Sequence, residues 1–201
     1  MELVVATKNR KKLAEIKKLL DDLDLKIGSL ADYPHSPRII ENGRTFRENA
    51  VKKAVRIARF SKRLTLGEDS GLCVDALRGR PGIYSSRFAG KEKSDLKNNL
   101  KLLSLLADLP LKKRKAYYIC AVALADKDGL VAVAQGRCCG LIGFKLKGHF
   151  GFGYDPLFVI PKYKKTFAQL GPKIKHKISH RFRALVEAKK IILDYLKKTS
   201  K

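Results

Sequence analysis

Apolar and polar positions along the chain recur with periods that change several times, and each change marks an element. Residues 3–6, Leu-Val-Val-Ala, are a short continuous apolar run and predict a buried strand. Leu13, Ile16, Leu19 and Leu20 then recur at helical spacing, so a helix follows the turn Thr7-Lys8-Asn9. A second helix is predicted from Thr45, with Glu48 three residues on as a capping box and Phe46, Ala50, Ala54, Ile57 and Ala58 along one stripe. The connection between these helices is polar and contains proline.

Residues 64–66 and 72–77 read as short strands on either side of Gly67-Glu68-Asp69-Ser70-Gly71, and residues 78–90 as a loop rich in Gly and Pro. A third helix begins near Ser94 and carries Leu96, Leu100, Leu103 and Leu106. Residues 115–125 predict a long strand that turns at Asp126-Lys127-Asp128-Gly129 into residues 130–138, an antiparallel hairpin that excludes a purely parallel sheet. A Gly-rich stretch, 148–156, precedes the apolar run 157–160, and Ser179 caps a final amphipathic helix with Leu185, Ala188, Ile192 and Leu196. The order predicts an α/β fold, a mixed sheet flanked by helices, whose polar loops meet in a cleft.

At 201 residues and 45% hydrophobic content the chain can bury a substantial core, as one domain over 1–201 or two lobes sharing a cleft, and a disordered chain is excluded. The first apolar run is too short for a signal segment, and no run approaches a membrane span, which points to the cytoplasm. Four cysteines without CxxC spacing indicate reduced thiols rather than a metal site or a disulfide scaffold. The 44 Lys and Arg against 19 Asp and Glu leave two readings open: neutralising nucleic-acid phosphates, or binding small polyanions behind a lysine-rich solvated surface.

Candidate chemistry gathers at four places. Thr7 to Lys12 lie between a strand and a helix N-terminus, where backbone N–H groups and the Lys12 charge favour phosphate, although Asn9 equally suits a plain helix cap. Glu68 and Asp69 are adjacent acids in an acid-poor chain; with Glu41 they offer the oxygens that Mg²⁺ takes beside phosphate, or they form an ordinary acidic turn. In Gly151-Phe152-Gly153-Tyr154-Asp155-Pro156 small neighbours leave a ring face open for a nucleobase, and Asp155 is an acceptor for a base nitrogen; a tight turn with Phe152 in the core is the alternative. Lys175, His176, Ser179, His180 and Arg181 collect donors at the start of the last helix, or form a basic, solvated helix end.

Together, Ala-Thr-Lys-Asn-x-x-Lys at 6–12, Thr-Phe-x-Glu-Asn-Ala-x-x-Lys-Ala at 45–54, Asp-Ser-Gly-Leu at 69–72, Pro-Gly-Ile-Tyr-Ser at 81–85, Gly-Phe-Gly-Tyr-Asp-Pro at 151–156 and Ile-Ser-His-Arg at 178–181 closely resemble the inosine triphosphate pyrophosphatase family. The resemblance runs nearly end to end. It implies a homodimeric α/β enzyme whose two lobes enclose a purine nucleoside triphosphate, with Mg²⁺ as cofactor and no specific nucleic-acid partner. By motif, Thr7, Lys8, Asn9, Lys12 and Lys53 would hold the triphosphate, Glu41 and Asp69 the metal, and Ser70 a phosphate-side contact. Asp69 would also prepare the attacking water. Phe152, Gly153, Tyr154, Asp155, Lys175, His180 and Arg181 would form the base pocket. Glu68 stands where the family more often has Asp and is left out of the expected ligands. Two alternatives remain: a septum-associated nucleotide pyrophosphatase, and a basic nucleic-acid-binding protein with a degenerate pocket.

Overall fold

Three of the predicted helices begin at capping side chains: Asn9 Oδ1 accepts from the Lys12 N–H (3.1 Å), Thr45 Oγ1 from that of Glu48 (3.0 Å) and Ser94 Oγ from that of Lys97 (3.3 Å). Glu48 does not close the predicted capping box, because its Oε2 accepts from the Arg44 N–H instead of that of Thr45. The computed structural model describes residues 1–199. In chain order its elements are β1 (Glu2–Val5), α1 (Arg10–Leu19), β2 (Lys26–Ser29), α2 (Phe46–Ser61), β3 (Leu64–Val74), α3 (Asp95–Leu105), β4 (Lys115–Ala125), β5 (Leu130–Ile142), β6 (Phe158–Ile160), β7 (Lys165–Thr166), α4 (Phe167–Ile178) and α5 (His180–Thr199). The seven strands belong to one sheet in the order β2-β1-β3-β4-β5-β6-β7. It is mixed as expected, with β1 parallel to β2 and β3, and β6 antiparallel to β5 and β7.

The chain divides into two compact units. The first holds Met1–Asp69, Cys120–Gly136 and the chain from His180 on. Successive side chains of a strand point to opposite faces, and β4 uses this to sort its residues by size. Cys120, Val122 and Leu124 join Leu3, Val5, Leu64 and Leu66 against Ile16 of α1 and Ala184, Leu185, Ala188 and Ile192 of α5. Ala121, Ala123 and Ala125 meet Ala50, Ala54 and Ala58 of α2 instead. The alanines at the centre of this contact let α2 lie close to the sheet. Gly67 of β3 permits the closest approach, since a Cβ there would sit 2.3 Å from the Ala50 carbonyl oxygen and 2.6 Å from the Ala54 nitrogen.

The second unit holds Ser70–Ile119 and Arg137–Ser179. Its core joins Leu72, Val74, Leu102 and Leu106 to an aromatic cluster in which Phe158 lies 4.7 Å from Tyr118 and 5.3 Å from Phe167 between ring centroids.

Several expectations need correction. Residues 64–66 and 72–77 are not two strands around an acidic turn: β3 runs unbroken through Glu68 and Asp69, and residues 75–77 form a 3-10 turn. The two acids are buried among cationic partners, and that tertiary pairing overrides their turn preference. Leu96 and Leu100 of α3 are exposed, while Asn98, Asn99, Leu102 and Leu106 are buried, so the helix turns a partly polar face inward. Strand β5 extends four residues past its predicted end. Strand β2 and helix α4 arise where no element was expected, one from only four residues and the other interrupted at Gly171 ahead of Pro172. Among the described residues no helix is long and apolar enough to cross a membrane.

Candidate active site

The alternation of β3 separates the two adjacent acids. Glu68 shares the α1 and α5 face: its Oε2 lies 3.0 Å from Lys12 Nζ, and its Oε1 lies 3.2 Å from Arg181 Nη2 and accepts from the Cys120 thiol at 3.2 Å. Asp69 faces α2, where its Oδ1 lies 3.0 Å from Lys53 Nζ and its Oδ2 accepts from Asn49 Nδ2 at 3.2 Å. Lys53 Nζ also lies 3.0 Å from Glu41 Oε2. The Glu68-Asp69 pair therefore serves two clusters on opposite sheet faces rather than one ligand set.

Charge balance differs between these clusters. Burial opposes the Lys53 charge, but Asp69 and then Glu41 outweigh it and hold the ammonium above its ordinary value. Burial pushes the Asp69 carboxyl up, and Lys53 and Lys12 do not fully offset it. Burial likewise opposes the Arg181 charge, yet Glu68 and Glu15 hold that guanidinium above its ordinary value; Glu15 pairs directly with Nη1. Burial and then the Glu68 charge push Cys120 well up, so it remains a thiol that donates to Glu68.

The Thr7-Lys8-Asn9 turn is compact: Thr7 Oγ1 accepts from the Asn9 N–H at 3.1 Å, and Asn9 caps α1. The first turn of α1 contains no acid, so its N-terminus keeps its preference for an anion. The cap and an anion seat are compatible. Lys12, expected at phosphate, and Arg181, expected at the base, meet the same Glu68 carboxylate. His180 is buried at the start of α5, and Ser70 is half-buried on β3.

In the second unit the structure brings together Phe152, Gly153, Tyr154, Asp155 and Lys175. Asp155 is buried and turned into its own loop: Oδ2 accepts from the Phe152 N–H at 2.9 Å and lies 2.7 Å from Lys175 Nζ. Gly151 is required beneath that carboxylate, because its φ is +83° and a Cβ would meet Asp155 Oδ2 at 2.1 Å. Lys175 Nζ also stands 4.6 Å from the Phe152 ring centroid, a cation–π distance. Phe152 is half-buried, neither lost in the core nor fully exposed. Lys175 belongs to α4 and this unit, whereas His180 and Arg181 belong to α5 and the first.

Sequence reasoning gave no role to Glu15, Asn49 or Cys120 in the first unit, nor to Asp95, Asn98 or Asn99 in the second. One signal was available: Asn49, Asn98 and Asn99 lie inside helices, where asparagine is a poor former and needs another reason to be present. Among the described residues no group of three or more His, Cys, Asp or Glu side chains gathers as a metal site. Glu41 and Asp69 do converge on one positive point, the Lys53 ammonium, and a hard divalent cation suits such a carboxylate pair when substrate oxygens complete its shell.

Comparison with known proteins finds similarity along nearly the whole chain. A dITP/XTP pyrophosphatase from Desulforamulus reducens is 47% identical over 96% of each chain, and one from Shouchella clausii is 47% identical over 95% of this chain and 96% of its own. Among solved structures, a HAM1 protein from Coxiella burnetii superposes with a TM-score of 0.88 at 36% identity, covering 96% of this chain and 99% of that one. The Ham1 protein of Staphylococcus aureus superposes with a TM-score of 0.85 at 35% identity over the full length of both. The model of the Ham1 family matches residues 3–191, and with it the strand, helix and loop segments that carry every candidate residue: this chain belongs to the Ham1 family.

Proposed function

We propose that this chain is a magnesium-dependent nucleoside triphosphate pyrophosphatase that cleaves dITP, ITP and XTP to the monophosphate and pyrophosphate, working as a cytoplasmic homodimer. The observation that carries the reading is the buried Lys53 ammonium held 3.0 Å from both Glu41 and Asp69. It is supported by family membership and by relatives named dITP/XTP pyrophosphatases.

In this reading Lys12, Lys53 and the N-terminus of α1 neutralise the triphosphate, and Thr7, Lys8 and Asn9 shape its turn, with Ser70 on the phosphate side. Asp69 accepts a proton from the water that attacks the α-phosphorus in line. The bond from the α-phosphorus to the bridging oxygen breaks, and pyrophosphate leaves with the electron pair. Glu41 and Asp69 would hold Mg²⁺, which when bound would add charge neutralisation for the triphosphate. Phe152 offers the base a stacking face beside Lys175, within the loop that Asp155 secures. The resemblance assigns His180 and Arg181 to base reading as well. Donors matched to the 6-oxo group of hypoxanthine and xanthine meet an amino donor in adenine, a mismatch that a hydrogen-bonding site rejects strongly.

The test is steady-state pyrophosphate release from a panel of triphosphates, with Mg²⁺ present or chelated, for the native protein and Asp69→Asn. ITP is expected to exceed ATP, and chelation to abolish turnover until Mg²⁺ is restored. Asp69→Asn is expected to lose at least about 3 kcal/mol of transition-state stabilisation, roughly a hundredfold in rate, with far less effect on nucleotide affinity. Near-native turnover by Asp69→Asn removes Asp69 from the chemistry.

A further inference from the structure

The loop that carries Phe152 is held by a second element to which neither the motifs nor the proposed mechanism gives a role. Gly153 is gripped on both sides by the first turns of α3: its N–H donates to Asp95 Oδ2 at 2.8 Å, and its carbonyl accepts from Asn99 Nδ2 at 2.8 Å. These two groups belong to the consecutive peptide bonds that flank Gly153. The preceding peptide, through the Phe152 N–H, is held by Asp155, so three successive backbone groups around the ring are bound by side chains.

The same helix holds the neighbouring loop. Asn98 Oδ1 accepts from the Ala89 N–H at 2.7 Å, and Asn98 Nδ2 donates to the Ser86 carbonyl at 3.3 Å. Tyr154 closes the circuit by donating its hydroxyl to the Ser85 carbonyl at 2.8 Å. From α3 the path thus runs through residues 85–89 to Tyr154, to Gly153, and back to α3.

Asn99 shows which bonds the arrangement favours. Its amide nitrogen faces two carbonyls, those of Asp95 at 2.7 Å and Gly153 at 2.8 Å, which fixes the amide orientation. Its Oδ1 is buried with no hydrogen-bond partner among the described residues, a cost accepted so that the nitrogen can reach Gly153. Asn99 itself is buried, and as an interior helical residue it has no propensity reason to be asparagine.

We propose that Asp95 and Asn99 are positioning residues that set affinity and base preference by fixing the Gly153 backbone, and through it the Phe152 ring. This rests on the reading of Phe152 as the base platform. Loop geometry of this kind acts on the part of the substrate that the loop contacts, so its loss appears in KM and in discrimination rather than in turnover.

The experiment compares ITP and ATP kinetics and thermal midpoints for the native protein, Asn99→Asp, Asn99→Ala, Asp95→Ala, Asp95→Asn and Phe152→Ala. Asn99→Asp keeps the shape but turns an acceptor toward two carbonyls, and is expected to raise KM for ITP about tenfold, with kcat within about twofold and a smaller ITP to ATP ratio. Asp95→Ala, at an exposed position that tolerates truncation, is expected to act in the same direction. Asp95→Asn retains an acceptor for the Gly153 N–H and is expected to recover most of that loss. If the Asn99 and Asp95 variants lower only the thermal midpoint or the active fraction, with KM and the ratio unchanged, α3 is merely structural and the proposal is overturned. Phe152→Ala separates the two possible failures. If it reduces the ITP preference while Asn99→Asp and Asp95→Ala do not, the positioning role alone is wrong. If Phe152→Ala also leaves the preference intact, the base platform is wrong and the positioning role falls with it.

Discussion

Arg114 and Arg181 are both almost completely buried, one in each compact unit, and they are satisfied in opposite ways. Among the described residues Arg114 donates to backbone carbonyls alone: those of Leu106 at 2.7 Å, Leu109 at 2.8 Å, Gly143 at 3.0 Å and Ala107 at 3.3 Å. Burial pulls its affinity for the proton below the ordinary value. Arg181 donates to the carboxylates of Glu68 and Glu15, which hold its proton more tightly than usual. Backbone carbonyls fix a position but carry no net charge. Carboxylates carry charge that a neighbouring cation, here Lys12, also uses. The carbonyl-bound arginine ties the end of α3 to the start of β4 and to Gly143, which is a purely architectural task. The carboxylate-bound arginine sits in a network where changing any one charge alters the others.

The largest expected effect follows from that coupling. Glu68→Leu leaves the buried Arg181 and the half-buried Lys12 without their shared carboxylate, and is expected to cost about 3 kcal/mol of stability in urea denaturation. A loss below about 1 kcal/mol would show that the network does not depend on Glu68. Arg114→Met is expected to cost about 2 kcal/mol, since it strands buried carbonyls but removes no charge partner, and to leave kcat/KM for ITP unchanged. A kinetic defect in Arg114→Met without a stability defect would break the contrast between the two arginines. Gly151→Ala is next: a left-handed backbone and the Asp155 carboxylate both oppose the added methyl, for about 2 kcal/mol by the same denaturation assay. The smallest effect belongs to the surface. Asp22→Asn breaks an exposed pair with Lys189 and is expected to leave the denaturation midpoint where it was, as a solvated ion pair contributes little.

Periodicity and capping chemistry located α1, α2 and α3, the β4 to β5 hairpin and the mixed character of the sheet, because each depends on residues close together in the chain. Thr45 and Ser94 cap their helices whatever the helices later touch. The family resemblance named Lys12, Lys53, Glu41 and Asp69 for the same reason: short strings in order are visible without a fold. What the sequence left undecided was every choice that depends on which strand face a residue occupies. Glu68 and Asp69 read as one adjacent pair between two short strands, for a metal or for a turn, and only the pleat of β3, with α2 on one face and α1 and α5 on the other, sends them to separate cations. Leu96 and Leu100 fit a helical stripe, yet α3 presents Asn98 and Asn99 inward, because the carbonyls and N–H groups of two loops there require partners that leucine cannot supply. Local pattern determined which elements form; long-range burial of polar groups, which no window of sequence contains, decided which side chains meet.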